Sequence, residues 1–65
     1  MDWAEFAFVV KESGNRKIAD ALKSFLEERN KQAKQWAKKT KSDDMAFLLE
    51  SLSAGYEKAL RVLRG

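Results

Sequence analysis

The chain has 65 residues, of which 45% are hydrophobic and 35% are charged, and it contains neither His nor Cys. A chain of this length supports one domain, because so small a domain buries only about 60% of its unfolded surface. Without His or Cys, disulfides, the usual zinc sites and the commonest acid–base and nucleophilic chemistry are excluded. With no Pro and three Gly, the composition favours a few long helices over many short strands.

The first predicted helix covers residues 3–13. Asp2 is followed three residues later by Glu5, a capping-box pattern in which both side chains can accept hydrogen bonds from first-turn amides. Gly14 suits the left-handed position that follows a helix, and Asn15 can cap the next helix at once.

The second predicted helix covers residues 16–40. Its apolar face is formed by residues at the helical period: Ile18, Leu22, Phe25, Leu26, Arg29, Ala33, Trp36 and Thr40. Residues 29–35 are polar apart from Ala33, so we expect the helix beyond residue 30 to be held loosely. Trp36 is in phase with Ile18 and Phe25, which predicts a core position for it.

The third predicted helix covers residues 43–64, with Ser42 as its N-cap and acidic residues in its first turn. Its apolar face also follows the helical period: Met45, Leu48, Leu49, Leu52, Tyr56, Ala59, Leu60 and Leu63. Gly55 interrupts this face. It marks a kink or a close backbone approach, or it is simply a tolerated glycine.

These elements predict an all-α fold, a three-helix bundle in one domain spanning residues 1–65. The two long helices are joined by few residues and should form an antiparallel hairpin. The short first helix would pack on this hairpin with Trp3, Phe6, Ala7 and Val10 facing inwards. The bundle would exist either as a monomer or as a dimer.

Four apolar residues lie off the predicted core faces: Phe8, Val9, Phe47 and Val62. Two explanations stay open. A short helix wedged between two others needs a broad apolar surface, or these residues form an exposed patch for dimerisation or partner binding.

Positive charge is concentrated in late helix 2. Residues 29–41 contain six cations and no acid, while the rest of the chain has seven cations against ten acids. Lys31, Lys34, Lys38 and Lys41 share the face of helix 2 opposite Trp36, and Lys39 belongs to the same cationic segment. These five lysines are candidates for binding nucleic acid without sequence specificity, or they form a solvated helix back.

The sequence favours binding over catalysis. The carboxylates fall at helix starts or on exposed faces, and the glycines stand alone rather than in a phosphate-binding loop. We therefore expect no enzyme activity, cofactor, metal or small-molecule substrate.

The apolar runs are shorter than the roughly 18–20 residues of a membrane span, and acidic residues occupy the N-terminus where a signal peptide is basic. Both features favour a cytoplasmic location. The leading hypothesis is a small regulator, inhibitor or adaptor that binds a protein partner or itself, and the alternative is a nonspecific nucleic-acid binder.

Overall fold

The computed structural model describes residues 2–65 and contains three α-helices, α1 (Trp3–Glu12), α2 (Arg16–Lys39) and α3 (Asp43–Arg64). The predicted all-α three-helix bundle is confirmed, because α1 packs on both longer helices and α2 packs along α3. Helices α1 and α2 each end one residue earlier than predicted, and α3 has the predicted bounds.

Each helix begins at an N-cap residue whose side chain accepts a backbone hydrogen bond. Side-chain oxygens of Asp2, Asn15 and Ser42 each accept a hydrogen bond from the backbone amide three residues later, at 2.8, 3.2 and 3.2 Å. Gly14 has φ of 73°, the left-handed conformation that glycine adopts without steric cost. The chain therefore changes direction between α1 and α2 within three residues.

The main core lies where α1 covers one side of the α2–α3 hairpin. It consists of six buried side chains: Ala7, Val10, Leu22, Leu26, Ala59 and Leu60. Trp3, Tyr56 and Leu63 pack against this core and are partly buried. Leu26 is the only large side chain among the described residues that is fully buried, so the core is small.

Several apolar residues that the periodicity assigned to the core are instead exposed: Phe6, Ile18, Phe25, Trp36, Met45, Leu48 and Leu52. The length of α1 does not explain the exposure of Phe6, on α1 itself, or of Ile18, near the start of α2 at the covered end of the hairpin. The exposure of Trp36, Met45, Leu48 and Leu52 follows from the short length of α1. Its 10 residues extend for about 15 Å, whereas the 24 residues of α2 extend for about 36 Å. The molecule is correspondingly elongated, with extents of 42 × 19 × 16 Å.

Gly55 lies within α3 and is half-buried, and a Cβ atom added there would meet no neighbouring atom within 4 Å. A close approach by another backbone therefore does not explain this glycine. No helix within residues 2–65 combines the length and the apolar character needed to cross a membrane.

Candidate protein-interaction surface

The two sides of the α2–α3 hairpin carry different kinds of side chains. On one side, ion pairs join the helices: Lys34 Nζ lies 2.7 Å from Glu57 Oε2, and Arg64 Nη2 lies 3.5 Å from Glu27 Oε1. The other side carries α1 and large apolar residues. Each long helix therefore has a charged flank and an apolar flank beside its buried face.

Helix α1 covers only half of the apolar side. Its first residue, Trp3, lies between the hairpin helices, with ring centroids 5.9 Å from Phe25 on α2 and 5.7 Å from Tyr56 on α3. At the other end of α1, Val10 borders a groove together with Leu63. Helix α1 thus runs from the middle of the hairpin to its open end, away from the α2–α3 connection.

Between Trp3 and that connection, the apolar side continues without a covering helix. Trp36 lies three helical turns beyond Phe25 on the same side of α2. On α3, the same side continues through Met45, Leu48 and Leu52. Together with Trp36, these three residues form what we call the uncovered apolar face. Trp36 is 59% exposed and Leu48 is 56% exposed, so the prediction that Trp36 is a core residue is wrong.

Small side chains lie between the helices at this level. Ala33 and Leu49 are buried, and Ala37 and Ala46 are half-buried. Alanines let two helices approach closely, which leaves little room between them for large side chains beyond that of Leu49. The large apolar residues therefore stand on the flank, where only a further element could bury them.

A polar contact divides the two halves of the hairpin. Ser53, the buried polar side chain of α3, donates a hydrogen bond from Oγ to Oδ1 of Asn30 on α2. Ala33 and Leu49 are buried beyond this contact and do not belong to the main core cluster. The buried residues beside the uncovered apolar face, Ala33 and Leu49, are therefore separate from the core beneath α1.

One cation borders the uncovered apolar face. The guanidinium of Arg29 lies over the ring of Phe25, with its central carbon 5.2 Å from the ring centroid. This cation–π contact places the charge at the boundary with α1.

The four apolar residues that lay off the predicted core faces are not brought together. Phe8 and Val9 are each 54% exposed on the outer surface of α1, and Phe47 is 70% exposed on α3. Phe47 shares a face of α3 with Glu50, on the charged side of the hairpin. Val62 is partly buried and packs against the main core.

The five candidate lysines, Lys31, Lys34, Lys38, Lys39 and Lys41, are all exposed. Acidic residues of α3 interrupt their positive charge. The ammonium of Lys34, which donates a hydrogen bond to the carboxylate of Glu57, is the main cause that lowers the pKa of Glu57. Lys34 and Lys38 also line a shallow groove with Glu50.

Sequence reasoning missed the uncovered apolar face because periodicity marks which side of a helix is apolar and not what covers it. One signal was present in the sequence. The first predicted helix is half as long as the others, and a polar segment at residues 29–35 separates Trp36 from the rest of the apolar face. No family model, curated protein or solved structure matches the chain.

Proposed function

We propose that this chain is a protein-interaction module that binds through the uncovered apolar face. The observation that carries the proposal is the continuity of Trp36, Met45, Leu48 and Leu52 along one side of a helical hairpin, all of them exposed. Contiguous apolar surface of this kind on a small domain is typical of binding sites, because its contact with water is unfavourable.

The shape of this surface suits a helical partner. Two antiparallel helices with small residues between them form a shallow groove, and a helix laid into it would bury apolar residues on both flanks. Trp36 is the expected anchor, because tryptophan contributes more than most residues to interface energy. Such a module would act as a regulator, inhibitor or adaptor, and the proposal includes no catalytic role.

The test is recovery of partners from the native host, with an affinity-tagged chain, nuclease treatment and high salt. The variant Trp36→Lys with Leu48→Lys places two charges in the uncovered apolar face, and Phe47→Lys is the matched control on the charged side. We expect the parent and the control to retain the same bound protein and the double variant to lose it. Equal recovery by all three chains would contradict the proposal.

A nonspecific nucleic-acid binder is the competing proposal, and the exposed Lys31 and Lys38 support it. The pairing of Lys34 with Glu57 weakens it, because a carboxylate within the basic face repels phosphate. Its test is the salt dependence of binding to random-sequence DNA and RNA duplexes. Micromolar binding that weakens steeply with salt and disappears in Lys31→Glu with Lys38→Glu would favour this alternative.

A further inference from the structure

We infer that the occupant of the uncovered apolar face is a second copy of this chain, an inference that rests on the function proposed above. The two copies would pack through this face with their hairpins antiparallel, related by a twofold axis that passes close to Leu48. The halves of the hairpins nearest the α2–α3 connections would then form a four-helix bundle.

The chain exposes more surface than a compact monomer of its mass. Its accessible surface is 5021 Å², whereas a compact monomer of 7.5 kDa exposes about 4,250 Å². The excess of roughly 800 Å² belongs to the whole elongated chain, and it is similar in size to the area that each partner buries in a standard protein interface. The radius of gyration, 12.8 Å, likewise exceeds the value of about 11 Å for a compact chain of this length.

The lengths of the helices fit this arrangement. Helix α1 covers about 15 Å of a hairpin about 36 Å long, which leaves roughly 20 Å uncovered. In an antiparallel pair, the uncovered part of one hairpin lies on the uncovered part of the other. Each α1 then meets the end of the partner hairpin, and both apolar sides are covered along their whole length.

The chemistry of the uncovered apolar face suits contact with itself. In a twofold interface each patch faces its own copy, so a charge near the axis would meet a like charge. The four side chains of this face are uncharged, and the charge of Arg29 lies over Phe25 at the border. Self-association therefore brings apolar groups together, and Lys39, three residues beyond Trp36 on α2 and exposed, is the cation nearest to them on that helix.

The small core of the single chain also favours a second copy over a different protein as the partner. Three of its eight buried hydrophobic residues are alanines, and the chain has no cysteine for a disulfide. Oligomerisation is one of the ways in which domains of this size gain stability. A second copy supplies the missing apolar contacts whenever the chain is present.

The experiment is the solution mass of the purified chain over a wide dilution series. We expect twice the 7.5 kDa mass at high concentration for the parent and for Phe47→Lys. Trp36→Lys with Leu48→Lys should raise the dissociation constant by at least about 100-fold, because each lysine would lose water at an apolar interface. Circular dichroism checks that this variant keeps its helices.

Disulfide cross-linking tests the inferred arrangement of the two copies even if the double variant unfolds. The chain lacks cysteine, so Leu48→Cys introduces one thiol per copy near the twofold axis, and Phe47→Cys introduces one on the charged side. We expect oxidation to cross-link the first variant rapidly and the second slowly. Equal rates would overturn the inferred arrangement.

A parent chain that stays monomeric throughout the series would overturn the second-copy inference. The proposed function fails separately, since it requires only that a protein recovered from the host is lost when Trp36 and Leu48 are replaced by lysine. If the parent chain is monomeric, and if the variant Trp36→Lys with Leu48→Lys loses a host protein that the parent binds, the second-copy inference is refuted and the proposed function is supported.

Discussion

The indole ring of Trp3 lies against the ring of Phe25, with 5.9 Å between their centroids, and this contact marks the boundary between the covered and uncovered halves of the hairpin. On one side of it, α1 buries the main core. On the other side, the same apolar flank of α2 continues to Trp36, which is exposed. The structure thus contains one half in which α1 covers the apolar side and one half in which the apolar residues are exposed.

The first prediction concerns Trp3, which anchors α1 through contacts with both hairpin helices. We expect Trp3→Ala to lower the free energy of unfolding by about 2–4 kcal/mol, because a partly buried tryptophan loses most of its packing contacts. Phe8→Ala, on the outer surface of α1, should cost about 1 kcal/mol or less. Denaturant unfolding at one fixed protein concentration measures both values, and similar costs would contradict the anchoring role of Trp3.

The second prediction contrasts two glycines. Gly55→Ala should stabilise the protein by about 1 kcal/mol, because alanine favours the helix and its Cβ atom would enter open space. Gly14→Ala should destabilise it by about 1 kcal/mol, because φ at that position is 73° and alanine is strained there. Thermal unfolding of both variants gives opposite shifts in Tm. A loss of stability in Gly55→Ala would show that α3 needs a glycine for bending or for binding.

The bounds of the helices could be predicted from the sequence because capping is local. A side-chain oxygen at Asp2, Asn15 or Ser42 needs only the amide three residues later, so four residues decide the outcome. The left-handed position of Gly14 is equally local. These features determined the order and lengths of the helices. They therefore also predicted a hairpin of two long helices, α2 and α3, with the shorter α1 packed on it.

The exposure of Trp36 could not be predicted in the same way, because burial depends on residues distant in sequence. Periodicity places Trp36 and Phe25 on one side of α2, and both were assigned to a single core. Whether that side is covered depends on where α1 lies along the hairpin and on how long α1 is. The five candidate lysines of late α2 were correctly predicted to be exposed. The ion pair between Lys34 and Glu57 could not be predicted, because it depends on how α2 and α3 lie relative to each other.

The third prediction concerns the hydrogen bond between Ser53 and Asn30. Ser53→Ala should cost about 1–3 kcal/mol, because it removes the partner of a partly buried amide oxygen. Replacing both residues, with Asn30→Leu and Ser53→Ala, should restore part of this loss, since no polar atom of the Ser53–Asn30 pair is then left without a partner, while the contact of Asn30 with Glu57 is also lost. A double-mutant cycle from denaturant unfolding measures the coupling between them. Additive effects of the two substitutions would show that the bond contributes little.

The fourth prediction concerns the titration of Glu57. Its pKa is lowered mainly by the hydrogen bond and charge of Lys34, with a smaller contribution from Asn30. A carboxyl group whose pKa is lower in the folded state stabilises the fold above its unfolded pKa, and this contribution is lost as pH falls through the folded pKa. Nuclear magnetic resonance titration of the Glu57 side chain should show the lowered pKa in the parent chain and a rise towards the ordinary value in Lys34→Met. Lys31→Met is the control, because it removes a charge from the same helix and leaves the pair intact. If Lys31→Met raised the pKa of Glu57 as much as Lys34→Met does, general positive charge on α2 would be the cause, rather than the 2.7 Å contact.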